Sequence, residues 1–157
     1  MFEIIFVIIV LIIVIAPISL LFHEIGHVVG AKLMSATKIL LTIGIGKQIF
    51  SLSIQNIDIR FRKFFVVNSF TSTIRNRPFT NKEKIFITFM GPLFSSLLAL
   101  LAYGIYYSFL SNIYVLILFL FNLWLVLINL LPFKIGEKES DGYIIMQLIF
   151  QRFNKLS

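Results

Sequence analysis

The sequence predicts an all-helical membrane protein: about three transmembrane helices, with a small membrane-surface β-hairpin or sheet inserted between the first and the second. Three observations carry this. The chain of 157 residues is 59% hydrophobic and only 13% charged, too apolar for an ordinary soluble domain. Two uncharged runs, Ile4–Phe22 and the 49 residues Ile85–Phe133, match one and two helices at the roughly 20 residues a membrane span needs. Between them lies a stretch whose apolar residues alternate, which is strand patterning. The length suits one domain, and residues 1–157 read as a single membrane core.

The first helix is expected over about 2–33. A signal peptide is the competing reading of the first run and a weak one: the run starts with Glu3 and no basic residue, and no small-residue cleavage site follows. Gly26 and Gly30 lie four apart on this helix and let a second helix approach closely. The insertion covers about 37–73. In FSLSIQNIDIRF the apolar positions are Phe50, Leu52 and Ile54, then Ile57, Ile59 and Phe61. The parity slips at Gln55-Asn56, as a two-residue hairpin turn requires. TIGIGK reads as strand plus turn, and FFVVNSF (Phe64–Phe70) as a third strand. The second helix is expected over about 84–108, capped by Thr80 or Asn81 with Glu83 in its first turn. Gly91 and Pro92 stand inside it, and a proline in a span needs neighbours that satisfy the freed backbone. A turn near Ser108–Tyr114 leads to the third helix, about 112–132.

Charge orients these spans. Ten Lys/Arg lie between Lys32 and Lys84, the other four follow Phe133, and the N-terminus and the Ser108–Tyr114 turn hold none. All 14 fall on one side of a three-span arrangement, which the positive-inside rule makes cytoplasmic. The N-terminus is then outside and the C-terminus cytoplasmic. Because the basic residues alternate with membrane-length apolar runs, the net charge of +7 reports orientation rather than nucleic-acid binding.

Chemistry concentrates in LLFHEIGHVVGAK. His23 and His27 share a helix face and can hold one zinc ion through one ring nitrogen each. Glu24, one step round, is placed to take a proton from water that zinc has acidified to a pKa of roughly 7. The chain has two histidines and both are in this pattern; buried in a span, such residues are rare without a function. A catalytic zinc takes three protein ligands. With no third histidine and no cysteine, the third is a carboxylate or an unusual ligand, and the residues alone leave the carboxylates Glu137, Glu139 and Asp141 open. The absence of cysteine also excludes disulfides and a thiol nucleophile.

HEIGH in the first span, Gly91-Pro92 in the second, and NLLPFKIGEKESDGY (Asn129–Tyr143) after the third together resemble the site-2 protease family of intramembrane metalloproteases. The resemblance spans nearly the whole chain as a bare three-helix core. It implies one zinc ion held by His23, His27 and Asp141, with Glu24 as base and the site toward the cytoplasm. The implied substrate is a membrane-embedded peptide or single-span protein: a small hydrophobic peptide, a signal-peptide remnant or an anchored regulator. The chain departs from the family in its nine-residue step from Pro132 to Asp141 and in carrying Ser95 and Ser96 where an asparagine usually follows Gly-Pro. For Asp141 to reach the histidines the chain must turn back. Pro132 can end the third helix, Gly136 allows a reversal, and Ser140 can cap a short helix from Asp141 whose YIIMQLIF lies on the membrane. Glu139 is then expected in solvent. Asn129 can bond either the substrate backbone or developing oxyanion, or another helix.

A second reading is a non-catalytic zinc-binding membrane scaffold or immunity-type protein; Glu24 opposes it, since a scaffold needs no base. A transporter lacks the intramembrane charges and repeats expected of one. The partners expected are the membrane-embedded substrate and the lipid bilayer, with no nucleic acid and no oligomeric state assigned. The richness in Ile, Phe, Lys and Asn points to an AT-rich bacterial genome.

Overall fold

The computed structural model describes residues 2–153. The chain is mostly helical, with three helices long and apolar enough to cross a membrane, Phe2–Leu33, Asn81–Ser108 and Ile113–Leu130, and a small antiparallel sheet between the first two. The first is not one regular α-helix. It runs as α1 (Phe2–Val10), a π-helical stretch Leu11–Ile15, and α2 (Ala16–Leu33). Pro17 explains the interruption: its ring has no N–H to give to the carbonyl of residue 13 and crowds it, and the backbone widens into a π-turn just ahead.

The insertion is built differently from the three short strands expected. The turn does fall at Gln55-Asn56, with Gln55 at φ +55°, but it joins two long strands, β1 (Lys38–Ile54) and β2 (Ile57–Ile74). TIGIGK and FFVVNSF lie inside these strands rather than between them. The long hairpin folds back on itself. Ile39–Ile43 is paired with Ser69–Thr73 on one side and with Ile57–Phe61 on the other, the latter with both numbers rising together. Gly44 and Gly46, at φ +91° and +89°, supply the irregular backbone where the fold-back occurs, a conformation glycine adopts without steric penalty. Ile39 and Leu41 are buried with Val28, Ala31 and Ala36, and Ile57, Ile59 and Ile87 pack around them. This cluster fixes the sheet to α2.

Helix α3 (Asn81–Ser108) starts at Thr80, which forms a capping box with Glu83. Arg75 binds that same carboxylate through both terminal nitrogens, at 2.9 and 3.0 Å, and donates to the Met34 carbonyl at 2.8 Å. The end of α2, the end of β2 and the start of α3 are thereby tied at one point. Further along, a side chain at Gly26 would run into the Met90 carbonyl, and one at Gly30 would meet Met90 Cγ at 2.9 Å. The two glycines thus let α2 and α3 touch backbone to backbone. Helix α4 (Ile113–Leu130), capped by Asn112, completes the bundle. Its Asn122 is fully buried and donates to Ser19 Oγ on α2 and to the Leu118 carbonyl, both at 2.8 Å.

After α4 the chain reverses. A two-residue hairpin, β3 (Lys134–Ile135) with β4 (Lys138–Glu139), turns at Gly136, whose φ is +61°. Ser140 closes the reversal. Its hydroxyl donates to the Leu131 carbonyl at 2.6 Å and accepts from the Phe133 and Tyr143 amides, each at 3.1 Å. Helix α5 (Asp141–Phe153) follows; residues 154–155, where the expected helix ends, lie outside the described residues. A side chain at Gly142 would overlap the Leu130 carbonyl, so glycine here is required by close packing of α5 on α4 rather than by turn geometry.

Candidate metal centre

The site forms where α2, α3 and α5 meet. Ser19, His23 and His27 recur every four residues and face inward from α2. On α3, Gly91 lies directly against them: an added side chain would strike the His27 ring and come within 2.8 Å of His23 Nε2. One turn further, Ser95 is fully buried and its hydroxyl is 3.0 Å from His23 Nδ1. His27 Nδ1 is 3.0 Å from the Ile87 carbonyl. A carbonyl only accepts, so His27 Nδ1 is the donor in this bond, and the ring is turned with Nε2 toward His23 and Asp141.

The reversal after α4 delivers Asp141 to this pair. Its Oδ2 lies 3.1 Å from His23 Nε2, its Oδ1 3.5 Å from His27 Nε2, and the two Nε2 atoms are 3.2 Å apart. Ligands at about 2.0–2.1 Å from a tetrahedral zinc stand roughly 3.3 Å from one another. The spacing therefore suits one such ion. The donor set also calls for a cation: Asp141 Oδ2 is buried without a hydrogen-bond donor, and buried acceptors without a donor are costly. Among the described residues, His23, His27 and Asp141 are the group of three whose ligand atoms converge this way. The outer contacts, Ser95 and the Ile87 carbonyl, orient the rings in the manner usual for metal-bound histidine.

Glu24 is buried beside the histidines, 7% exposed. Its contacts come from the inserted sheet: Thr71 Oγ1 donates to Oε2 at 2.6 Å, and Ser69 Oγ lies 3.4 Å from Oε1. Glu139 is far from this arrangement in its bonding. It pairs with Lys134 at 2.7 Å, and the carboxylate holds the Lys134 ammonium above its ordinary pKa. Asn129 gives its amide to the Leu125 carbonyl of its own helix at 2.9 Å. Sequence reasoning named Ser95 only as a departure from the family pattern, with no contact to His23, and missed Ser69 and Thr71. Ser95 stands one helical turn after Gly91, and Ser69, Thr71 and Thr73 alternate with Phe70, Ser72 and Ile74; both periodicities were legible, but neither says what the residue faces.

A comparison with curated proteins finds no match. The family model of peptidase family M50 matches residues 6–113, a stretch that contains His23, Glu24, His27, Gly91 and Pro92 and ends before Asp141. Because that match covers well over half of the chain, and the apolar helices and the His/Asp group agree with it, the protein belongs to peptidase family M50, the site-2 protease family of membrane metalloproteases.

Proposed function

We propose that the protein is a zinc-dependent intramembrane endopeptidase that cleaves a peptide bond within or near a membrane-embedded segment. The observation that carries this is the convergence of His23 Nε2, His27 Nε2 and the Asp141 carboxylate, with a buried Glu24 alongside, in which both histidines and Glu24 stand on a helix long enough to span a bilayer. His23, His27 and Asp141 would hold the ion. When bound, zinc supplies Lewis acidity toward water and toward the scissile carbonyl.

The chain's own residues do the rest. Glu24 takes the proton of the attacking water on one carboxylate oxygen and passes it to the leaving amide nitrogen. Ser140 caps the first turn of α5, which carries Asp141, and the two histidines are oriented through Nδ1, so the residues that would hold the ion stand on fixed elements. Asn129, with one amide hydrogen on Leu125, retains a second for the substrate backbone or developing oxyanion.

The reading extends to place and partner. The sheet lies at the cytoplasmic face of the membrane, and the N-terminus is outside, following the one-sided basic residues. Residues 69–74 form an outer strand of the sheet next to Glu24, paired to β1 on one side, and an unwound substrate segment can add to its other edge. Small hydrophobic peptides, signal-peptide remnants and anchored regulators of a bacterial cell are the fitting substrates. The deciding experiment compares parent and Glu24→Gln proteins for zinc content and for cleavage of single-span substrates; turnover by the variant at the parent rate overturns the assignment.

A further inference from the structure

The inserted sheet reaches the catalytic glutamate, and this gives it a function the sequence did not disclose. We propose that Thr71 of β2 is a positioning residue for Glu24: its hydroxyl holds Oε2 and leaves Oε1 as the proton-accepting oxygen. The inference rests on the protease reading above.

A buried carboxylate needs hydrogen-bond donors. Helix α2 offers none, because backbone amides within a helix are used by the helix itself. Among the described residues, the donors that reach Glu24 are Thr71 and Ser69, both from β2. The two contacts differ in kind. At 2.6 Å the Thr71 hydroxyl makes a short bond of the strength typical of a charged acceptor, which restrains Oε2. Ser69, at 3.4 Å, is too long for a strong bond to Oε1, so that oxygen keeps its accepting capacity.

Strand register decides which residues can do this. Side chains alternate along a strand, and Ser69, Thr71 and Thr73 are half-buried toward α2 while Phe70, Ser72 and Ile74 are exposed. A slip of one residue would exchange Thr71 for Phe70 or Ser72. The register is locked by Leu41 opposite Thr71 and Ile43 opposite Ser69. Leu41 is 3% exposed, in the same buried cluster as Val28 and Ala31 of α2. The helix that carries Glu24 and the strand that carries Thr71 therefore share one core.

Two experiments on the full chain test this. The first uses the absence of cysteine: the Glu24→Cys/Thr71→Cys protein carries two thiols, and a short bis-maleimide in isolated membranes should bridge them. The Glu24→Cys/Ser72→Cys protein should resist bridging, and equal bridging of both overturns the register on which the proposal depends. The second takes as substrate the membrane peptide that accumulates most in cells making Glu24→Gln over cells making the parent. Thr71→Val, which keeps the shape and removes the hydroxyl, should lower kcat by about 10–100-fold, as loss of an orienting partner does, with KM and zinc content unchanged. Thr71→Ser should restore kcat to near the parent value. If Thr71→Val keeps the parent kcat while Glu24→Gln is dead, the positioning role is wrong and the protease reading stands. If Thr71→Val loses zinc or raises KM in proportion, Thr71 merely supports the fold and the proposal fails. If no peptide accumulates with Glu24→Gln, the protease reading itself falls, and this inference with it.

Discussion

Asp141 Oδ2 lies 3.1 Å from His23 Nε2, although the two residues stand at opposite ends of the chain and reach each other only through the reversal closed by Ser140. The neighbouring carboxylate, Glu139, is turned away onto Lys134. Asp141→Asn should therefore reduce bound zinc sharply, whereas Glu139→Gln should leave it near the parent level, as measured by elemental analysis of the purified proteins. The reverse result would move the ligand role to Glu139.

Glu24 makes none of the metal-facing contacts that join His23, His27 and Asp141. Glu24→Gln should keep one zinc per chain and lose turnover, because the ligands remain and the base is gone. His23→Ala and His27→Ala should lose both. Zinc content and peptide cleavage measured on the same preparations separate the two classes.

Two glycines on α3 should respond oppositely to alanine. At Gly91 a side chain would strike the His27 ring, whereas at Gly104 no atom lies within 4 Å. Gly91→Ala should lose zinc and activity. Gly104→Ala should be fully active and more stable by up to about 1 kcal/mol, the helix-propensity difference. Thermal unfolding in detergent, read beside zinc content, checks both.

Ser95 contacts the ring nitrogen of His23 that faces away from the metal side. Ser95→Ala should weaken zinc binding by about 10–100-fold, the usual effect of losing an orienting partner; Ser96→Ala should not, since Ser96 donates to the Pro92 carbonyl. Competition with a chelator of known affinity gives the comparison.

The proposed orientation rests on charge alone. Reporter fusions at Ser111 should report from outside and fusions at Ser157 from the cytoplasm. The opposite pattern at both positions would contradict the one-sided placement of the basic residues.

Features that depend on local spacing were open to reading from the residues alone. Membrane length is set by uninterrupted apolar runs, so three helices of spanning length were legible, with ends within a few residues of Asn81–Ser108 and Ile113–Leu130. The i, i+4 rule is enough to put His23 and His27 on one helix face. The parity slip located the hairpin turn at Gln55-Asn56, and Gly136 and Ser140 marked the reversal and the cap. Tertiary packing settled what each face meets. The π-turn before Pro17 and the fold-back of two long strands depend on how backbone strain and strand pairing are relieved in three dimensions, which pattern does not encode. Ser95 and Thr71 gained their places only because α3 approaches α2 through Gly26, Gly30 and Gly91, and because the Ile39–Leu41 cluster fixes the sheet's register over Glu24. A hydroxyl looks the same in sequence whether it faces lipid, a helix or a catalytic carboxylate; packing alone selects among these, because it brings together residues whose separation along the chain carries no signal.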